Sequence, residues 1–240
     1  MKLLAFDTST ETLSIAVSAG TGAPALEHTA VGGAQASATL IPAIQQLLGQ
    51  AGLTLPGLDA IAFGRGPGSF TGLRTAAAVA QGLGFGTGVP VLAIDTLLAV
   101  ADEAFARRGV TRVLALLDAR MDEVYFGAYE RMEGRWLTRH APALGRPEDV
   151  EVPAGWALAG NVLELHGERL RGGGERIAAL PTATALLRLA PAELAGGSPH
   201  GAAQALPLYI RDKVAQTTEE RAAERARKEM VRGASAAGPR

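Results

Sequence analysis

The chain contains no cysteine among its 240 residues. Disulfides, thiol catalysis and thiolate metal sites are therefore excluded. Lysine is nearly as scarce. Lys2, Lys213 and Lys228 are the only ones, so residues 3–212 offer no amine for a Schiff base or a lysine general base. The histidines are His28, His140, His166 and His200, and no two lie three to five positions apart, so there is no helical histidine pair for zinc. A dominant charge is missing too. At a net charge of −1 the whole molecule is not an electrostatic binder of nucleic acid. Met1-Lys2 leads into a run broken by Asp7 rather than into a signal peptide. The uncharged stretch from Thr75 to Ile94 is too rich in glycine and too poor in large apolar groups for a membrane span. A cytoplasmic protein without membrane contact is the expectation.

The most distinctive stretch is Ile61 to Arg74. A short apolar run ends in Gly64-Arg65-Gly66-Pro67-Gly68-Ser69, and this turn feeds a helix reaching about Leu83. Glycines here let another group approach the main chain closely, and Ser69 is placed to cap the helix. One reading is a phosphate cradle or docking surface built from free backbone N–H groups. The other, preferred because short glycine motifs recur by chance, is a tight strand-to-helix turn. No Gly-Lys pair completes a phosphate loop, the spacing completes no dinucleotide fingerprint, and Gly68-Ser69 lacks the spacer of a nucleophile elbow. Behind the loop, Thr71 to Gly86 is small or apolar nearly all round, with Arg74, Thr75 and Gln81 the main exceptions. Gly72, Ala76, Ala80 and Gly84 recur at every fourth position and permit close helix approach. A helix lacking a polar face is covered on several sides, by its own domain or by a partner.

Around this stretch, strands are expected at Leu3–Phe6, Leu13–Val17, Ala25–Val31, Ala60–Phe63 and Val91–Ile94. Helices are expected over Ser37–Gln50, with Pro42 in the first turn, and over Thr96–Arg108. Then the pattern restarts. Arg112 to Asp118 echoes Lys2 to Asp7, and Glu123 to Tyr129 echoes Thr12 to Ser18, at an offset of 111 that maps Leu3 on Leu114, Asp7 on Asp118 and Leu13 on Val124. This duplication predicts an α/β protein of two mixed-sheet halves, 1–110 and 111–215, followed by a charged tail at 216–240. In the second half, strands are expected at Gly134–His140 and Trp156–Ala159. Helices are expected at Asn161–His166 and Thr182–Leu194, parted by a flexible Arg171–Gly174 link. The tail reads as a solvated helix or frayed end; the alternative is an arm that meets RNA or a partner only in an assembly.

Asp7 and Asp118 are the best candidates for chemistry. Each closes a strand and opens a turn, and two related halves could bring them across a cleft around a magnesium nucleotide. Neither turn contains glycine, however, and Glu11, Asp122 and Glu123 would repel phosphate. Capping a turn is the preferred role for both acids. Ser69 has no histidine near it in sequence to serve as its base.

The segments MKLLAFDTSTETLSIAV, IAFGRGPGSFTGLRTAAAVAQGL, RVLALLDARMDEVYFGAYE and PLYIRDKV together resemble the bacterial TsaB (YeaZ) family. The resemblance is dense over the first 130 residues and weak between Ala143 and Ala205. It implies a duplicated actin/hexokinase-like (ribonuclease H-like) fold. It also implies a non-catalytic subunit of the machinery that makes threonylcarbamoyladenosine beside the tRNA anticodon. In that family TsaB pairs with the transferase TsaD, works with the ATPase TsaE, self-associates when TsaD is absent, and meets tRNA only through the complex. No cofactor or metal is implied for this chain; ATP is used by partner subunits. The acids Asp7 and Asp118 become vestiges of a nucleotide site. The resemblance further implies that the two N-terminal helices meet TsaD, with Leu40, Ile41, Ile44, Phe70, Leu73, Arg74, Ala77 and Ala80 as contact residues and Gly64, Gly66, Gly68 and Ser69 as the glycine loop. The alternatives are a sugar-kinase-like phosphotransferase using Asp7 and Asp118, and a peptidase-like hydrolase. On the pairing reading, Ala77→Glu leaves the monomer soluble and abolishes TsaD binding, as read by calorimetry.

Overall fold

A computed structural model describes residues 1–20, 22, 24–196 and 201–211. The first sheet begins with β1 (Lys2–Asp7), β2 (Thr12–Ala19) and β3 (Leu26–Val31), joined antiparallel, with Asp7 opposite Ser14 at the turn end. After α1 (Ala36–Gln50), β4 (Ala60–Gly66) pairs parallel with β1. After α2 (Phe70–Thr87), β5 (Val91–Asp95) pairs parallel with β4, so the order is β3-β2-β1-β4-β5. Then α3 (Thr96–Arg108) leads to β6 (Arg112–Arg120), β7 (Glu123–Met132), β8 (Arg135–Gly145), β9 (Ala157–Gly160), the single turn α4 (Leu163–His166), β10 (Arg176–Ala178) and α5 (Ala183–Ala195). The second sheet runs β10-β9-β6-β7-β8, which is the first sheet's order repeated. The duplication inferred from the sequence is therefore real, and the architecture is the duplicated actin/hexokinase-like, ribonuclease H-like one.

The central strands are apolar at nearly every position because both of their faces are covered. On one face of the first sheet, Leu4, Phe6, Ile61 and Phe63 pack with Leu40 and Ile44 of α1 and Ala76 and Ala80 of α2. On the other, Leu3, Ala5 and Ala62 pack with Leu186 and Ala190 of α5. In the second sheet, Val113, Ala115 and Leu117 meet Leu97, Val100 and Ala104 of α3. Its remaining face, with Leu114, Leu116 and Val124, is covered by short pieces carrying Val150, Val162 and Leu170. The boundary at residue 110 thus separates the sheets but not the helices, because α3 and α5 each pack on the sheet of the other half. Residues Met1–Ile210 form one compact unit. The tail at 216–240 lies outside the described residues.

Several expectations change. Pro42 is the seventh residue of α1, not part of its first turn; a 3-10 turn at Gly33–Gln35 precedes the helix. Its missing N–H leaves the Ala38 carbonyl, four residues back, without its usual helical partner. The expected strand at 134–140 extends to Gly145, β10 was not foreseen, and the helix expected over 161–166 is one turn. The repeat offset also needs correcting. Leu4 and Phe6 face the helices α1 and α2 that connect the strands of their half, and Leu114 and Leu116 face the short segments that connect the strands of theirs. Strand β6 therefore follows β1 at an offset of 110, from Leu4 to Leu114, while β7 keeps 111. Since a one-residue slip moves every side chain to the other face, Asp118 stands where Thr8 does and is not the counterpart of Asp7.

Charged groups fasten the exchanged helices. Asp102 on α3, buried, accepts from Trp136 Nε1 on β8 at 2.9 Å and from Arg188 Nε on α5 at 2.6 Å. Glu103 accepts from Arg107, Thr182 and Arg188. Burial alone would raise its pKa, but those hydrogen bonds outweigh it and hold the carboxyl below its ordinary value. Removing Asp102 leaves the Trp136 Nε1–H without its acceptor and takes the nearest carboxylate from Arg188, whose side chain is 41% exposed. Asp102→Ala is expected to cost about 3 kcal/mol in urea unfolding, and Asp102→Asn, which still accepts from Trp136, clearly less.

Candidate interaction face

The first acidic turn and the glycine loop are packed into each other. Asp7 Oδ1 accepts from the Ser9 amide at 2.8 Å and its hydroxyl at 2.6 Å, the turn-capping role expected of it. Ser9 O accepts from Ser69 N at 2.7 Å, and Thr8 Oγ1 donates to Gly72 O at 2.7 Å. A side chain at Gly64 would overlap Asp7 Oδ2, one at Gly68 the Ser9 backbone, and one at Gly72 the Thr8 carbonyl. Gly66, at φ +116°, sits beneath the Leu208 carbonyl and donates its N–H to Thr96 Oγ1 at 3.0 Å. The glycines are thus close-approach positions for the chain's own first turn. The Ser69 hydroxyl does not cap α2, contrary to expectation; its amide is committed to Ser9.

Asp118 is only partly buried. Its Oδ1 accepts from Arg120 N at 2.9 Å, which caps the second turn, and its Oδ2 pairs with Arg120 NH1 at 3.1 Å. Arg120 also pairs with Glu11, tying the two acidic turns together. Arg169 NH1 reaches Asp122 Oδ1 at 2.5 Å, and its NH2 reaches Glu148 Oε2 at 2.5 Å. Arg120, Met121 and Asp122 are all left-handed at φ 62°, 56° and 63°, a conformation that favours glycine. Sequence reasoning counted the acids of these turns as repulsive to phosphate. The structure pairs two of them, Glu11 with Arg120 and Asp122 with Arg169, which leaves both arginines committed to carboxylates. No group of three or more potential metal ligands occurs among the described residues.

The two neighbouring helices are different in kind. α1 and α2, 15 and 18 residues long, carry a single charged side chain between them, Arg74. Five of the eight contact residues expected from the sequence point inward. Leu40, Ile44, Leu73, Ala77 and Ala80 are all buried in the chain's own core, Ala77 at 4% exposure. The four-residue strip of Gly72, Ala76, Ala80 and Gly84 is likewise internal, seating α2 on the sheet and the first turn. Ile41 at 44% exposure, half-buried Phe70 and exposed Arg74 remain on the outer side. They are joined there by Ala38, Pro42, Ala78, Val79 and Phe85, the last 70% exposed. A shallow groove of about 460 Å³ runs along Ser37, Phe70, Thr71, Arg74, Thr75, Ala78 and Val79.

The C-terminal segment borders this face. Leu208 N donates to Arg65 O at 2.7 Å, and Gln81 Nε2 donates to Ala205 O at 3.1 Å. Tyr209 packs against Phe70 with centroids 5.3 Å apart and the rings tilted by 37°, and it accepts from Arg74 Nε at 3.2 Å, while the Arg74 guanidinium lies 3.8 Å from the Phe70 centroid. Aromatic and arginine anchors beside small apolar residues are what a protein-binding face uses. Sequence reasoning missed Ala78, Val79, Phe85 and Tyr209. Helical spacing alone marks α2 as apolar on every side and so does not say which side is out.

Residues 27–237 match the family model described as TsaD, tRNA N6-adenosine threonylcarbamoyltransferase. The tRNA threonylcarbamoyladenosine biosynthesis protein TsaB of Escherichia coli (strain K12) is 36% identical over 234 residues, covering 90% of this chain and 96% of that protein. The protein of the same name from Haemophilus influenzae is 36% identical over 236 residues, covering 89% and 95%. Among solved structures, YeaZ from Pseudomonas aeruginosa matches with a TM-score of 0.81 at 43% identity, over 87% of this chain and 99% of that one. No helix among the described residues is long and apolar enough to cross a membrane.

Asp7 generates a pH prediction. It is fully buried, Oδ2 has no hydrogen-bond partner, and burial pushes its pKa up to about 6 against the smaller opposing pull of Ser9 and Thr96. The folded state therefore holds a proton that the unfolded state releases near pH 4, and stability is lost as pH rises from about 4 to about 6. The loss amounts to about 3 kcal/mol. Asp7→Asn keeps the Ser9 contacts and removes the titration. The difference in unfolding free energy between wild type and Asp7→Asn is expected to shift in the variant's favour across that window and to level off above it.

Proposed function

Because the chain belongs to the TsaB (YeaZ) family of tRNA threonylcarbamoyladenosine biosynthesis proteins, we propose that it is a non-catalytic assembly subunit of that modification machinery. It pairs with TsaD through the outer side of α1 and α2. The observation that carries this is the pair of adjacent helices with one charge between them, covered inside by their own sheet and open outside with Ile41, Ala78 and Phe85 at the surface. A face of that composition is ordinarily covered in a working assembly. The match of this chain to the TsaD model supports pairing between related chains, helix pair against helix pair, and the same face serves self-association when TsaD is absent.

The non-catalytic role draws support from the two acidic turns. The first is filled by its own glycine loop, and the arginines near them are held by carboxylates. A transferred phosphoryl group needs free cations or a metal at the place where charge develops. On this proposal the subunit acts in the cytoplasm, carries no cofactor of its own, leaves ATP to its partners, TsaE among them, and meets tRNA only through the complex.

Burial separates two neighbouring substitutions. Ala78→Glu is expected to leave the melting temperature within about 2 °C of wild type and to weaken TsaD binding at least about 100-fold by calorimetry. Ala77→Glu, expected from sequence to spare the monomer, instead places a carboxylate in the core and is expected to unfold it. In a reconstituted modification assay, omission of the chain should abolish product while the chain alone makes none. Unchanged TsaD affinity in Ala78→Glu removes the helix face from the proposal, and full activity without the chain removes the role.

A further inference from the structure

Arg74 is the one charge on α1 and α2, and its surroundings hold it in one place. Its guanidinium carbon lies 3.8 Å from the Phe70 ring centroid, and its Nε donates to Tyr209 Oη at 3.2 Å. Tyr209 is in turn packed against Phe70 and follows Leu208, whose amide is bonded to Arg65 O at 2.7 Å. Two aromatic rings thus fix the stem and the inner nitrogen. The outer nitrogens, NH1 and NH2, make no hydrogen bond or ion pair with the described residues. Elsewhere the oriented arginines meet acids: Arg65 faces Asp95, Arg120 faces Glu11, Arg169 faces Asp122 and Arg188 faces Asp102. Arg74 is oriented as they are, with the acid missing.

Arg74 also lines the shallow groove beside Phe70, Ala78 and Val79, so a surface that fills the groove covers the guanidinium as well. Covering a cation with no counter-charge costs its hydration without return. A carboxylate opposite NH1 and NH2 repays that cost with two parallel, charge-assisted hydrogen bonds. Because the side chain is ordered before a partner arrives, little further entropy is lost in making them.

A second copy of this chain does not supply the acid. Its α1 and α2 contain no aspartate or glutamate, and an isologous pairing of the two faces brings two Arg74 guanidinium groups into one interface. Glu11, the acid beside the turn that leads into α1, is already held by Arg120. We infer that Arg74 selects the partner of this face: it fits a helix pair that places a carboxylate opposite the guanidinium, and it weakens pairing between two copies of this chain. The inference rests on the pairing face proposed above and adds what chooses among partners.

The test compares two affinities of the full chain, for TsaD by calorimetry and for itself by sedimentation equilibrium, each at about 0.05 M and about 0.5 M salt. Arg74→Met keeps an unbranched stem over Phe70 and removes the charge. It is expected to weaken TsaD binding about tenfold or more, to flatten its salt dependence, and to tighten self-association about threefold or more. Arg74→Lys keeps the charge without the planar fork, and its TsaD affinity should fall between those of wild type and Arg74→Met. Wild-type TsaD affinity in Arg74→Met overturns the inference, and so does an equal weakening of both pairings, which marks the side chain as packing alone. Ala78→Glu distinguishes this failure from failure of the face itself. If it weakens both pairings while Arg74→Met changes neither, the face stands and selection by Arg74 falls; if it leaves both unchanged, both fall.

Discussion

The contact between the Thr8–Ser9 backbone and the glycine loop governs the first half of this protein. Gly64, Gly68 and Gly72 carry no side chain, so the turn after β1 can lie directly against the end of β4 and the first turn of α2. That seating places β1, β4 and α2 at close range, and it uses the Ser69 amide that an open loop would offer to an anion. It also seals Asp7 away from water, with one oxygen satisfied by Ser9 and the other by nothing. A sequence that looks like a ligand loop therefore works as an internal joint. Helix α2 can carry small residues on its inner side because the joint brings it so close to the sheet.

The consequence appears on the opposite side of the same helix. A helix whose inner strip is Gly72, Ala76, Ala80 and Gly84 gains modest apolar burial per residue, and its outer side gains nothing from solvent-facing charge. Arg74 is the single exception, and it lies at the surface over Phe70, bonded to Tyr209. The outer side is thus small, apolar and bordered by aromatic anchors, which is economical only where another surface covers it. Among the described residues the second half has no such face. There α4 is a single turn, and the equivalent sheet surface is covered by irregular segments.

The duplicated sheets were legible from residues because strand periodicity, the acidic turn and the flanking apolar runs recur in order. The exact correspondence was not. Leu3 and Leu4 are both leucine, so an offset of 110 or 111 fits the letters equally well, and only the packing of Leu4 and Leu114 on equivalent faces decides between them. The helix exchange was equally hidden. Nothing in the sequences of Thr96–Arg108 or Ala183–Ala195 says that each will pack on the other half's sheet. Asp102 and Arg188, which fasten them, are 86 residues apart.

Composition and local pattern by themselves determined what this chain is made of. They set its α/β class, its repeat, the absence of thiol, lysine and histidine-pair chemistry, and the presence of two helices almost without charge. Those properties depend on residue type and short-range spacing, and both can be read along the chain. Only the tertiary structure decided direction. It turned Leu40, Leu73 and Ala77 inward and Ile41, Ala78 and Phe85 outward, filled the glycine loop with the first turn, and placed Arg120 against Glu11. On a helix apolar all round, the buried side is chosen by which sheet face lies nearest, and that depends on contacts between residues far apart in the chain.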